Sequence, residues 1–381
     1  MRFTLSIYNL IEIIAVFQGY IFAILLIIRA KKQERYSDYW LGLLLITIST
    51  YMLRYAMADI VPEKPNSFII RLMSCSYMAV GVCIFLYFKT QINSHYRVTR
   101  KDLVHFLPFF LYFILFCINS VQIFRHHGKW ERPLFFQIAS WFFYTYRTVG
   151  TIVYWYLSWQ LYQNYRKWLP TERSDTEGVR FVWFKRFLIA IGVLIFSGIV
   201  LNFIDVFIFT TPLWLDAFQG ILVAICIYYL SIEGYTYFQP EGLRYGTTNE
   251  SIEETTTDHQ QTVMIAKMPP QEIEMWKNKI LDLLQKERLY LHPELTLTDF
   301  SQHLQTHNKL ISGVINEVFE KNFNDFINEY RVNLFKEKVN DPKLKHLTML
   351  SIALECGFNS KSTFNRAVKK ATGKMPSEFL K

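Results

Sequence analysis

Polar and basic side chains recur on one face of two short segments near the C-terminal end of the chain. In the later segment, Phe364 and Val368 have the i, i+4 spacing of residues that a helix buries. Asn365 and Arg366 then lie on the free face, and these residue types read adenine and guanine edges in the major groove of DNA. The residues of this segment that we expect to contact DNA are Asn359, Ser360, Lys361, Ser362, Asn365, Arg366 and Lys369.

The earlier segment is organised in the same way, with apolar residues at helical spacing between Leu310 and Val318. Gly313 lies on its free face, where the lack of a side chain lets the backbone approach DNA closely. A solvated polar surface explains any single one of these residues equally well, whereas two matching helical faces favour DNA contact. The contact residues predicted here are Asn308, Lys309, Ser312, Gly313 and Asn316.

Each free face belongs to the second helix of a predicted two-helix unit, at about 297–320 and about 349–370. Gly357 supplies the positive φ that ends one helix and lets the next leave at a steep angle. Between the units, Asn324 to Val339 is amphipathic and stops before Pro342, because proline does not continue a helix. We expect this intervening helix to hold the two units at a fixed separation.

The stretch from about Leu291 to Lys381 resembles the DNA-binding domain of AraC/XylS-type transcription regulators. The resemblance covers about a quarter of the chain and implies two helix-turn-helix units, joined by one long helix, that bind double-stranded DNA. A membrane part ahead of such a domain is similar to the membrane-bound bacterial members of that family. The chain departs from the common pattern at Ser301, Gly313, Val368 and Met375. The matching signature residues are Gly357, Phe358, Ser360, Ser362, Phe364, Arg366, Gly373 and Pro376.

Charge is unevenly distributed within this C-terminal part. Residues 331–381 contain 11 Lys and Arg against 4 Asp and Glu, whereas residues 239–330 contain 8 against 15. Neutralised phosphates supply a large share of DNA affinity. We therefore expect the second unit to provide more of the salt-dependent binding and the first to add contacts with base edges.

The rest of the chain has the composition of a membrane protein. Hydrophobic residues make up 51% of the chain and charged residues only 19%, which excludes a disordered chain and an ordinary soluble enzyme. The whole net charge of +9 lies in residues 1–238. Seven apolar runs there are long enough to span about 30 Å of hydrocarbon. They are Ile7 to Ile28, Tyr39 to Met57, Phe68 to Phe88, Leu103 to Val121, Phe135 to Tyr156, Phe187 to Phe209 and Leu213 to Tyr237.

The basic residues of the connecting loops predict the orientation. Loops one, three and five contain 14 Lys and Arg, and the opposite side has six. Since Lys and Arg accumulate on the cytoplasmic side, we expect the N-terminus outside and everything beyond Tyr237 in the cytoplasm. The first run is expected to stay as an anchor, because it is too long for a signal peptide and its basic cluster follows it. These features predict a multi-pass protein in the lipid of the bacterial inner membrane.

Apart from Glu233, six charged residues fall inside or at the ends of the predicted spans, where a charge in lipid costs several kcal/mol. At about 1.5 Å per residue, most of them lie in the outer half of the bilayer. Two interpretations stay open: structural pairs within the bundle, or an outward-facing pocket for a small-molecule or protein signal. The six residues are Glu12, Arg54, Arg71, Arg147, Asp205 and Asp216.

A polar segment at 239–270 separates the two parts and is rich in Thr, Glu and Gln, which is typical of a flexible linker. Residues 271–287 follow with apolar side chains at helical spacing. This helix either packs on the following domain or pairs with a second copy in a homodimer, because two heptads are too few to decide. The predicted domains are thus a membrane part at 1–238, the linker, and a DNA-binding domain at 271–381.

The predicted fold is therefore all-α: a seven-span transmembrane helix bundle followed by a cytoplasmic double helix-turn-helix domain. We expect no enzyme activity and no cofactor, since the G-x-G-x-x-G, H-E-x-x-H and G-x-S-x-G patterns are missing. We expect no metal site either, because the five cysteines lie apart and His126-His127 lacks further ligands. A membrane-anchored transcription regulator is the leading function, and a transporter or channel with a regulatory DNA-binding domain is the alternative.

Overall fold

The computed structural model describes residues 7–60, 68–125, 133–177, 179, 181–207, 213–237, 245, 268–344 and 346–380. Within these residues the chain is all-helical, as predicted, and extended pairing is limited to an isolated bridge between Arg173 and Thr296. The chain divides into two compact units, Met1–Tyr162 with Val182–Thr247 and Gln163–Phe181 with Thr248–Lys381. Residues 163–181, from the middle of the predicted membrane part, thus group with the C-terminal residues. The predicted linker lies largely outside the described residues.

The described residues of the first unit are mostly helical. Its described helices are α1 (Ile7–Gln33), α2 (Tyr36–Ile60), α3 (Phe68–Cys75), α4 (Val80–Gln91), α5 (Arg100–Leu103), α6 (Leu107–Arg125), α7 (Leu134–Glu172), α8 (Val182–Phe207) and α9 (Leu213–Thr236). The helix α7 begins in this unit and ends in the other. The helices α1 and α9 pack against α2 and bury Leu26, Leu44 and Ile227 completely.

Helices occupy all seven positions at which spans are predicted, but seven crossings are not confirmed. Among the described residues, no stretch within the predicted spans Tyr39–Met57 and Phe135–Tyr156 is among the five that are long and apolar enough to cross a membrane. Arg54 and several hydroxyl side chains lower the mean hydropathy of the first. The second contains Arg147 among many Tyr and Trp residues, which carry polar groups. The stretches that are long and apolar enough to cross a membrane are Tyr8–Gln33, Leu72–Gln91, Arg100–Gln122, Val182–Leu201 and Ala217–Thr236.

A buried ion pair joins three helices of the first unit. Asp38, near the start of α2, is 2% exposed, and its carboxylate accepts hydrogen bonds from Arg29 Nε at 2.7 Å and Arg29 Nη2 at 3.0 Å. Arg29 also donates to the backbone oxygens of Gly234 and Tyr235 at the end of α9. Arg29 therefore does more than add positive charge to the first loop: it fixes the helix that precedes the linker.

The second unit forms two apolar clusters, one for each predicted two-helix unit. The intervening helix α13 contributes Ile327 to the first cluster and Phe335 to the second, so it packs in both as expected. The helix α10 buries Ile280 and Leu284 in the first cluster. This agrees with the alternative in which the helix packs on the following domain. The described helices are α10 (Pro270–Lys286), α11 (Leu297–His303), α12 (Asn308–Phe319), α13 (Phe323–Val339), α14 (Met349–Glu355) and α15 (Lys361–Thr372).

Candidate nucleic-acid interface

Capping residues define both two-helix units. Thr296 begins α11 with a capping box, because its hydroxyl accepts the Asp299 N–H and the Asp299 carboxylate accepts the Thr296 N–H. Ser360 begins α15 in a similar way, and its hydroxyl accepts the Thr363 N–H at 3.1 Å. Each such bond satisfies a backbone donor that the helix leaves free and stabilises the helix by about 1 kcal/mol. The local sequence therefore fixes where α11 and α15 start.

Gly357 forms the turn between the two helices of the second two-helix unit. Its φ of +93° is one that side chains rarely adopt, and a Cβ atom there would lie 2.3 Å from the backbone oxygen of Tyr290. The chain can therefore turn and pass this close to Tyr290 only with glycine at the position. Beyond the turn, Phe364 and Val368 are buried, which confirms the predicted apolar side of α15.

The predicted DNA-contact residues differ in exposure. Ser312 is only 8% exposed and Gly313 is buried, so the expectation that both lie on a free face is wrong for this structure. The reason is that five consecutive residues of α12, from 311 to 315, are buried, and the helix is covered on more than one side there. Asn308, Lys309, Ser360, Asn365 and Arg366 are half-buried. The exposed members are Asn316, Asn359, Lys361, Ser362 and Lys369.

Asn308 connects α12 to α11. Its side-chain amide donates to the Thr298 hydroxyl at 2.7 Å and accepts a hydrogen bond from the Ser301 hydroxyl. Both Asn308 and Thr298 also donate to one carboxylate oxygen of Glu172, at 3.3 and 2.7 Å. Burial raises the pKa of Glu172 to about 6 despite the hydrogen bond from Thr298. Asn308 is therefore tied into this network in the structure.

Glu172 belongs to a short segment that we call the acidic loop, residues 172–177, which begins at the last residue of α7. On the side facing α15, Arg366 Nη1 donates to Glu177 Oε1 at 2.8 Å, and Arg366 Nη2 donates to the Thr176 hydroxyl at 3.2 Å. The Thr363 hydroxyl donates to Asp175 Oδ1 at 2.8 Å. The acidic loop thus contacts the helix that is predicted to read DNA, and it holds a residue predicted to read guanine.

Ser174 anchors the acidic loop in the domain. It is fully buried, and its N–H donates to the Leu295 oxygen at 3.0 Å. Its own carbonyl accepts the side-chain amides of Asn324 at 2.7 Å and Asn328 at 3.1 Å. These are buried bonds to backbone groups, which are costly to leave unsatisfied. The acidic loop therefore packs between the two two-helix units of the C-terminal part rather than on an exposed surface.

Arg331, on α13, joins the acidic loop to the segment before α11. It is completely buried, and Nε donates to the Tyr290 oxygen while Nη2 donates to the His292 oxygen, both at 2.7 Å. Nη2 also donates to the Ser174 hydroxyl at 3.1 Å. Burial lowers the pKa of Arg331 to about 10, partly offset by the negative charge of Asp175, so the side chain stays cationic at neutral pH.

Three of the six charges predicted in the spans can be placed. Glu12 is 6% exposed and its carboxylate lies against Gly220 of α9, whereas Arg147 lies 5.6 Å from the ring centroid of Tyr77. Arg54 is half-buried. Their convergence on one pocket stays a prediction. The side chains of Arg71, Asp205 and Asp216 lie outside the described residues.

The first unit also contains an open apolar cavity of about 410 Å³, lined mainly by α7 together with His105. Among the described residues that line it, Glu12, Arg54 and Arg147 do not appear. Among the described residues, no group of His, Cys, Asp and Glu side chains could hold a metal ion. His126-His127 lies outside the described residues.

Residues 300–381 match a family model described as a helix-turn-helix domain. The chain carries an AraC-type helix-turn-helix domain. This domain indicates a DNA-binding transcription regulator and is typically non-enzymatic. The match covers α12 to α15 and most of α11, so it includes both predicted recognition helices. Comparison with curated proteins and with solved structures found no match.

Proposed function

We propose that the chain is a membrane-anchored transcription regulator that binds promoter DNA in response to a small-molecule or protein signal. The observation that carries the proposal is the presence, in one chain, of an AraC-type helix-turn-helix domain and several helices apolar enough to cross a membrane. The signal is proposed to act at the outer face or within the bundle. Two charged residues of this part support the proposal: Glu12 is buried and Arg147 is half-buried.

The proposed topology has seven crossings. Helices lie at all seven predicted positions, and the two that are less apolar carry charges that a bundle interior tolerates better than lipid. An odd number of crossings with basic loops inside leaves the N-terminus outside and the DNA-binding domain in the cytoplasm. This orientation brings the domain to the compartment that contains DNA, which the function requires.

The proposed DNA contacts are centred on α12 and α15 as recognition helices in the major groove. On α15, the exposed Lys361 and Lys369 suit phosphates, and Asn365 and Arg366 suit base edges. Because basic residues outnumber acidic ones in residues 331–381, we attribute most of the phosphate binding to the second two-helix unit. On α12, Asn316 is exposed, and Lys309 and Asn308 are half-buried.

Two substitutions on α15 separate base reading from phosphate binding. In the fragment 271–381, which contains the buried residues of both apolar clusters, we expect Arg366→Ala to weaken a specific site by about 1–3 kcal/mol and to reduce its preference over random DNA. Lys369→Ala should weaken both kinds of binding alike and reduce the slope of log K against log salt by about one. Fluorescence anisotropy over a salt series measures both effects. If neither substitution alters binding, α15 does not enter the groove.

A further inference from the structure

We propose that the acidic loop is an internal competitor of DNA for the second recognition helix, so that the chain represses its own DNA binding while the loop is docked. The proposal rests on the proposed function, because it concerns the same DNA-contact residues. It assigns a regulatory role to Glu172, Asp175 and Glu177, which are the three carboxylates of the predicted fifth loop, whose other charged residues are basic.

The chemistry of Arg366 makes the competition direct. Reading guanine needs two guanidinium N–H groups directed at the O6 and N7 acceptors of one base. In the docked state Nη1 and Nη2 donate instead to Glu177 and Thr176, and the two side chains of the ion pair are only 35% and 30% exposed. The neighbouring Thr363 hydroxyl, fully buried, donates to Asp175. DNA and the acidic loop therefore require the same guanidinium donors of Arg366 on α15.

Docking does not depend on this ion pair alone, since a half-exposed pair contributes about 0–1 kcal/mol. Ser174 adds buried hydrogen bonds to Leu295, Asn324, Asn328 and Arg331. Glu172 adds bonds to the start of the first recognition helix through Asn308. A loop seated by these contacts remains in place at neutral pH and holds negative charge against the surface that must accept phosphates.

The loop is also connected to the proposed sensor part. It follows α7 without a break, and α7 is one described helix of 39 residues, about 58 Å long at 1.5 Å per residue. A signal that displaces α7 changes the position from which the loop must reach α15. Coupling between two binding events is reciprocal. If docking of the acidic loop weakens DNA binding, DNA that binds α15 must favour release of the loop.

The test uses the full chain in lipid nanodiscs and a pool of random-sequence DNA duplexes of about 30 base pairs, roughly three helical turns. We expect the double substitution Asp175→Ala and Glu177→Ala to lower the apparent Kd for DNA by about tenfold or more. If the acidic loop leaves the DNA site free in only one molecule of ten, the apparent Kd is about ten times that of a site that is always free. The matched control is Glu274→Ala with Asp282→Ala. It removes the same charge from exposed ion pairs on α10 and should change the Kd less than about threefold.

An equal change in the two double variants would overturn the competition and leave the proposed function intact. If no variant binds DNA even at low salt, both the competition and the proposed function fail.

A second measurement needs no substitution. We expect saturating duplex to accelerate amide hydrogen exchange in residues 172–177 of the wild-type chain, because the Ser174 N–H loses its bond to Leu295 on release. Exchange there that is unchanged or slowed by DNA would overturn the proposal.

Discussion

Replacing Gly357 by alanine is expected to destabilise the DNA-binding domain by at least about 3 kcal/mol, which is a large effect for the addition of one methyl group. A positive φ costs alanine about 1–2 kcal/mol. The new Cβ would also lie 2.3 Å from the Tyr290 oxygen and 2.9 Å from Leu291 Cα, and these are backbone atoms that cannot rotate away. Thermal unfolding of the fragment 271–381 should show a fall in Tm of more than about 10 °C.

Gly373 provides the matched control for this substitution. It also has a positive φ, +73°, at the end of α15, but a Cβ there meets nothing within 4 Å. Gly373→Ala should therefore cost only the backbone strain, about 1–2 kcal/mol. Equal losses of stability in the two variants would show that the close approach of Gly357 to Tyr290 does not govern the turn.

Replacing Arg331 by methionine is expected to destabilise the same domain by about 2–4 kcal/mol, because the change leaves buried acceptors without their donor. The carbonyl oxygens of Tyr290 and His292 each lose a bond of 2.7 Å, and the relief from burying a charge offsets part of the loss. Chemical denaturation of the fragment 271–381 measures the change in the free energy of unfolding.

Lys336→Met is the control, since it removes the same charge from a half-buried position of α13 and should cost less than about 1 kcal/mol. Gly357 and Arg331 both depend on the Tyr290 carbonyl, so we expect their effects to be non-additive by more than about 0.5 kcal/mol. Strict additivity, or a loss for Arg331→Met no larger than for Lys336→Met, would contradict the role given to this carbonyl.

The helices of the DNA-binding domain could be predicted from the sequence because local signals fix them. Thr296 and Ser360 cap their helices, Gly357 has the predicted positive φ, and α13 ends at Val339 ahead of Pro342. Capping, turn chemistry and apolar spacing act over a few residues, so a single sequence contains them. The arrangement of two helix-turn-helix units followed directly from these signals.

The contacts of the acidic loop could not be predicted in this way. They join residues more than 120 positions apart in the chain, and the pattern of neither segment reveals the other. The available signal is compositional: Glu172, Asp175 and Glu177 interrupt the fifth loop, in which only the Lys and Arg residues bear on the predicted orientation. The burial of Ser312 and Gly313 escaped prediction for a related reason, because helical periodicity indicates one buried side and cannot show that a second side is covered.

Selection of random DNA duplexes by the fragment 271–381 tests the central claim, that this domain reads DNA with two recognition helices. We predict enrichment of a sequence with two blocks, centred about one helical turn or 10–10.5 base pairs apart, of which Arg366→Ala alters one and spares the other. A pool that stays random after repeated selection by folded fragment, or an enriched sequence that Arg366→Ala leaves unchanged, would contradict the account.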